Sequence, residues 1–280
     1  MSICFMNGNF SPTDQCGIPV TDLVIQRGIG VFDSIRIYDG KAFALTAHMK
    51  RLENSARLAR IDLGDGTIIG KMTEVVREGV KRSDCPDGGN CIAKAYITGG
   101  DVNEGGRFTK PRHFVIFESG GDISPDDYKR GVALQPTDEG RPFPLTKSIN
   151  YMVGLIEGVG DDIYECLYCP DGKITETLRS SFFICLGGKI ITAPVGTVLD
   201  GVTRGIIIEL ARENGFEVEE RSPAVSELAK AVEAFLTSSW KEVLPVVRVG
   251  GTVIGDGKPG PVAARLRQLF KANLDKWLDK

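Results

Sequence analysis

Three two-residue turns constrain this chain more than any other feature: Asn7-Gly8, Asp39-Gly40 and Gly187-Gly188, each between short apolar runs of β type. Such pairs reach the positive φ values that a tight hairpin demands, so the strands on either side become antiparallel neighbours. The flanking strands are predicted over 3–10, over 31–38 with 41–45, and over 182–186 with 189–192. Other segments repeat their apolar residues at helical spacing. One is 47–58, with Met49, Leu52 and Ala56 on one face, and another is 67–82, closed by the breaker-rich 84–89. The cleanest is 203–214, with Asp200 or Thr203 near its start, Ile206, Ile207, Leu210 and Ala211 on one face, and Gly215 at its end. Helices are also predicted over 151–158, 226–233 and 261–277, with strands over 91–98, 113–118, 132–136, 163–168, 216–220, 234–237, 246–249 and 252–254. The fold class is therefore α/β of the α+β kind. A segment rich in Gly, Ser and Asp, 119–125, reads as a linker between an N-terminal domain, 1–118, and a C-terminal domain, 126–280.

At 280 residues the chain can bury one large core or two medium ones. Its net charge of −3 argues against a nucleic-acid surface, which needs concentrated basic charge. No apolar run is long enough to span a bilayer, and residues 1–9 lack the pattern of a signal peptide, so a soluble, cytoplasmic protein is expected. The seven cysteines do not read as a secreted disulfide framework. Cys166 and Cys169 have redox or zinc spacing, but they lie in a strand-like run without a second pair, so they are expected to be buried apolar residues and no metal site is expected.

Chemistry concentrates on Lys147, in the polar segment Thr146-Lys147-Ser148-Ile149-Asn150-Tyr151. A lysine amine whose surroundings depress its pKa can form a Schiff base with a carbonyl and then carry protons. Downstream come a turn carboxylate, Glu176, a helix start suited to a phosphate at 199–204, and the hydroxyl run Thr237-Ser238-Ser239. Those are the parts that a pyridoxal phosphate site requires.

The order and spacing of Gly30-Val31-Phe32-Asp33-Ser34, His48-Met49-Lys50-Arg51-Leu52, Lys147 to Tyr151, Gly172-Lys173-Ile174-Thr175-Glu176 and Gly201-Val202-Thr203-Arg204 resemble the class IV, or fold type IV, pyridoxal-phosphate aminotransferases nearly end to end. The resemblance implies a two-domain fold, an N-terminal α/β sandwich and a C-terminal pseudo-barrel, and a homodimer whose site lies between the domains under a loop of the partner. It implies Lys147 as the Schiff-base lysine, Tyr151 against the ring oxygen, Glu176 against the ring nitrogen and Leu199 on the ring face. Arg51, Val202, Thr203, Ser238 and Ser239 would hold the phosphate. The chain departs from the family after Glu176, with Thr177 and Ser181 where a Gly and an Asn are usual.

It departs again at Arg27, where most relatives carry a tyrosine before the Gly-x-Gly. Arg27 is either a clamp for the substrate carboxylate, with Arg107, Lys110 or Lys241 as partners, or a surface residue. The reaction expected is ping-pong transfer of an amino group from an amino acid to a 2-oxo acid. A D-amino acid is preferred, because Lys147-Ser148-x-Asn150 is similar to the D-amino acid transaminase branch. A branched-chain L-amino acid aminotransferase and aminodeoxychorismate lyase are the alternatives.

Overall fold

The structure is a computed structural model that describes residues 2–82, 91–120, 123–158, 160 and 162–279. The breaker segment 84–89 lies outside these residues, as do Gly121 and Asp122 of the linker. Two units divide the chain. One comprises Met1–Asp122, Thr146–Ile149 and Lys276–Lys280, and the other Ile123–Leu145 and Asn150–Asp275.

In the first unit β1 (Ile3–Met6) and β2 (Asn9–Pro12) close over Asn7-Gly8, with Met6 opposite Asn9. A short helix, α1 (Leu23–Arg27), is not legible in the sequence. Its cap is the Asp22 carboxylate, which accepts the Val24 N–H at 2.8 Å, and Gly28 ends it at φ 67. Next come β3 (Gly30–Tyr38) and β4 (Lys41–Ala42), joined at Asp39-Gly40, then α2 (Leu45–Leu58) and α3 (Thr67–Arg82). The unit continues with β5 (Cys91–Thr98), the small hairpin β6 (Asn103–Glu104) and β7 (Arg107–Phe108) inside the Gly-rich stretch, and β8 (Arg112–Ser119). The sheet runs β2-β1-β8-β5-β3-β4, antiparallel throughout.

Period-two alternation turns Val31, Asp33, Ile35 and Ile37 of β3 to the buried side, where the apolar three join Leu45, Met49 and Leu52 of α2 and Met72 and Val76 of α3. Each such side chain contributes about 1.5–3 kcal/mol on burial. Asp33 is the polar exception in that row. Residues 146–149 belong here rather than to a continuous 126–280 domain. The Phe32 N–H donates to the Lys147 carbonyl at 3.0 Å and the Ile149 N–H to the Gly30 carbonyl at 3.2 Å, which lays the segment along the start of β3.

The second unit opens with α4 (Pro125–Arg130), capped by the Ser124 hydroxyl, then β9 (Val132–Thr137), α5 (Met152–Glu157) and β10 (Glu165–Tyr168). There follow β11 (Ser181–Leu186), β12 (Lys189–Thr192), α6 (Val202–Glu213), β13 (Glu217–Glu220), β14 (Glu233–Ser238), β15 (Glu242–Val249), β16 (Thr252–Val253) and α7 (Pro261–Ala272). The sheet order is β10-β9-β15-β14-β11-β12-β13, with β16 on β15. Parallel pairs occur at β10/β9, β9/β15 and β12/β13. One face carries Phe182, Ile184, Leu236, Leu244 and Val246 into a single core. Alternate residues are buried too: Phe183 stacks on Phe235 at 4.8 Å, and α6 and α7 pack against β14. Burial of both faces explains why these strands read as continuous apolar runs.

The helix predicted over 226–233 is instead a 3-10 turn, Val225–Lys230, because Glu233 starts β14. Its buried carboxylate accepts the Val262 and Ala263 N–H groups and so caps α7 from a distance in sequence.

Candidate active site

In the first unit, Lys147 is held by its backbone. Its N–H donates to the Ser55 hydroxyl of α2 at 3.1 Å, and its carbonyl accepts from Phe32. The side chain is 9% exposed and its ammonium stands 4.7 Å above the Phe32 ring. Among the described residues no carboxylate pairs with it. The backbone of 146–149 is fixed at both ends of the lysine, so the amine is presented from a rigid segment.

Arg51 projects from the same helix as Ser55. Its Nε and Nη2 donate to the two Asp33 oxygens at 2.8 and 2.7 Å, a forked pair against a fully buried carboxylate. The His48 ring meets Asp33 Oδ1 at 2.8 Å through Nδ1. That contact requires the proton on Nδ1, so the 3.4 Å approach of Arg51 Nη2 to the same nitrogen is a contact and not a hydrogen bond. Burial alone would raise the Asp33 carboxyl, but Arg51 and His48 outweigh it and hold it well below the usual carboxylate range. Burial pushes the His48 imidazole below its ordinary value, more than Asp33 raises it. Arg51 therefore sits on an anionic base, which fixes the direction of its guanidinium.

In the second unit, Glu176 is 2% exposed. Its strand-like segment is clamped along β10: the Thr175 N–H donates to the Tyr168 carbonyl and the Tyr168 N–H to the Glu176 carbonyl, both at 3.0 Å. The carboxylate faces Arg141 Nη1 at 3.5 Å and the Leu199 N–H at 3.4 Å. Arg141 is buried as well, with its guanidinium 5.6 Å from the centre of the Tyr151 ring. Burial opposes the Arg141 charge, and Glu176 and Tyr151 more than offset it, so its pKa is raised. Arg141, Tyr151 and Glu176 thus form one group, with Tyr151 half-buried at its edge. Sequence reading places Tyr151 and Glu176 but misses Arg141; the one available signal is a cation in the Pro-rich run just before the lysine.

The N-terminus of α6 has Gly201 at its cap, no side-chain cap and no acidic residue in its first turn. Thr203 is buried and its hydroxyl lies 3.5 Å from Ser239 Oγ. A Cβ on Gly201 would come within 2.8 Å of Ser181 Oγ, so a larger residue here requires the Ser181 side chain to move. Ser181 pairs with Thr237 across β11 and β14, and the buried Thr237 hydroxyl has no partner among the described residues. Ser238 behaves differently from Ser239: its hydroxyl accepts the Lys241 N–H at 3.1 Å and so closes the β14–β15 turn.

Each cation expected at the substrate carboxylate has its own setting. Arg27 is exposed at the end of α1 and its Nη1 donates to the Gln26 carbonyl at 2.8 Å, a helix C-terminal cation rather than a clamp. Arg107 and Lys110 are exposed in and after β7. Lys241 is buried and its ammonium is committed to Glu165 and to Ser180 Oγ. Cys166 and Cys169 are buried in and beside β10, and burial pushes both thiols up to about 12, which leaves them inert. Cys91 is disulfide-bonded.

The family model for Amino-transferase class IV matches residues 30–249. A D-alanine aminotransferase of Bacillus licheniformis is 29% identical over 281 residues, 98% of this chain and 97% of the relative. A branched-chain-amino-acid aminotransferase of Salmonella typhimurium is 26% identical over 296 residues, 95% of this chain and 91% of the relative. The crystal structure of a T.th. branched-chain amino acid aminotransferase with pyridoxamine 5'-phosphate superposes with a TM-score of 0.88 at 25% identity, covering 99% of this chain and 97% of that one.

Proposed function

The chain belongs to the class IV aminotransferase family, and on that premise we propose that Lys147 is its catalytic lysine and that a D-amino acid is its preferred amino donor. The observation that carries the first part is the buried Lys147 amine, held by two backbone hydrogen bonds and unpaired with any carboxylate among the described residues. The cofactor is pyridoxal 5'-phosphate, and the donor set fits it: a primary amine, a buried carboxylate, an uncapped helix N-terminus and an orphaned buried hydroxyl at Thr237. When bound, it supplies an electron sink for the substrate α-carbon.

Lys147 would act as the base that takes and returns the proton of the substrate α-carbon. Glu176 would hold the ring-nitrogen proton, with Arg141 Nη1 facing its carboxylate at 3.5 Å. Tyr151 would lie against the ring oxygen and Leu199 against the ring face. The amides of Val202 and Thr203, with the Thr203 and Ser239 hydroxyls, receive the phosphate at the positive end of α6. Arg51 serves the same group, its guanidinium oriented by Asp33. The working form is a homodimer.

The D-amino acid reading is supported by the D-alanine relative at 29% identity and by Lys147-Ser148-x-Asn150. A branched-chain L-amino acid donor is the second reading, favoured by the TM-score of 0.88 to a branched-chain enzyme. Single-turnover spectra of the holoenzyme with D-alanine, D-glutamate, L-leucine and L-glutamate separate them. Conversion of the aldehyde to the amine form of the cofactor by the D-amino acids is expected. Conversion by L-leucine and L-glutamate alone would put the second reading in its place.

A further inference from the structure

Behind Glu176 and the hydroxyl turn lies a buried charged group that the reaction does not use. Glu165 opens β10 at 2% exposure and Lys241 closes the β14–β15 turn at 5% exposure, with their charged ends in contact. Each reaches an element that carries a site residue. Glu165 Oε2 accepts the Thr177 hydroxyl at 2.5 Å and the Arg179 N–H at 3.3 Å, while Oε1 takes Arg179 Nε at 3.2 Å. The Thr177 hydroxyl also lies 3.0 Å from the Ser180 carbonyl, but it has one proton to give, and the closer, charged acceptor takes it. Its oxygen in turn accepts the Ser180 N–H at 3.0 Å, which closes the turn that directly follows Glu176.

Lys241 ties the same turn to a second place. Its ammonium donates to Ser180 Oγ at 2.6 Å, and its backbone N–H donates to Ser238 Oγ, so its position and that of Ser239, two residues earlier, are set together. The Tyr128 hydroxyl donates to the Lys241 carbonyl at 3.0 Å and holds the far side. Thr177 stands where the family usually has glycine, a residue without a hydroxyl to offer. Glu165 therefore has in this chain a ligand that the usual residue cannot supply.

We propose that Glu165 and Lys241 are positioning residues, a buried strut that fixes Glu176 and Ser239 relative to each other and so sets the grip on the cofactor's ring nitrogen and phosphate together. This rests on the roles given above to Glu176 and Ser239. A buried pair stripped of one partner leaves an uncompensated charge, so either single change relaxes both turns.

The test titrates apoprotein with pyridoxal 5'-phosphate and records affinity and the visible circular dichroism of the bound cofactor for wild type, Glu165→Gln, Lys241→Met and Thr177→Val. Glu227→Gln is the control, since it breaks the Arg221–Glu227 ion pair elsewhere in the unit. Glu165→Gln and Lys241→Met are expected to raise Kd by about tenfold or more, and Thr177→Val by about threefold, each with an altered visible band. The control is expected to lower Tm and leave both readouts unchanged. If the three variants lose Tm but keep wild-type affinity and band, the strut is merely structural and the proposal falls. Should either charge variant fail to fold, Thr177→Val, which keeps its volume, decides by the same two readouts. Wild type that fails to bind the cofactor overturns the reading of Glu176 and Ser239, and the strut's role with it.

Discussion

Arg141 places a guanidinium 3.5 Å from the buried Glu176 carboxylate. Replacing it with Gln leaves the carboxylate facing a weaker, neutral donor, and the Arg141→Gln enzyme is expected to lose at least about tenfold in half-reaction rate, read by stopped-flow absorbance, while still folding. Arg27→Ala is expected to keep half-reaction rates within about twofold, because the guanidinium is exposed and bonded to its own helix. His48 gives a pH signature. Its folded pKa is depressed by burial, so the stability it contributes is full above the unfolded value of about 6.5 and is lost as pH falls through and below it. Chemical denaturation at pH 7.5 and 5.5 is expected to show a loss of stability that shrinks in His48→Gln. A loss of the same size in that variant contradicts the assignment.

At the scale of elements, the proposed function makes the N-terminus of α6 and the β14–β15 turn one receptor for the phosphate. Ser239→Ala is expected to weaken pyridoxal phosphate binding by about tenfold, since a hydrogen bond to a charged group contributes about 1.5–3 kcal/mol. Ser238→Ala is expected to change Tm more than affinity, and equilibrium titration of the two apoproteins distinguishes them. The body of α6 is legible to within a residue at each end, because Gly215 and a one-sided apolar stripe are local signals. The hairpins over Asn7-Gly8, Asp39-Gly40 and Gly187-Gly188 are legible for the same reason. What the sequence hides is whatever depends on distant partners. Glu233 is a strand residue because it caps α7, and Asp33 occupies a core row because Arg51 pairs with its charge and His48 donates a hydrogen bond to it. Lys241 reads as a substrate cation because nothing local marks Glu165 as its partner.

At the scale of the whole chain, the same distinction explains the domain boundary. The Gly-, Ser- and Asp-rich linker is readable from composition, whereas the return of Thr146–Ile149 to the first unit is a matter of backbone pairing with β3. Lys147, the proposed catalytic residue, thus belongs to a different unit from the segments on either side of it in sequence. A homodimer is predicted, and sedimentation equilibrium should give twice the chain's mass; a fully active species at one chain mass contradicts it. The central claim is that Lys147 carries the cofactor. Borohydride reduction of the holoenzyme followed by peptide mapping tests it most directly. The pyridoxyl adduct is expected on Lys147, in the peptide containing Ser148 to Tyr151, and an adduct on any other lysine with Lys147 unmodified would contradict the account.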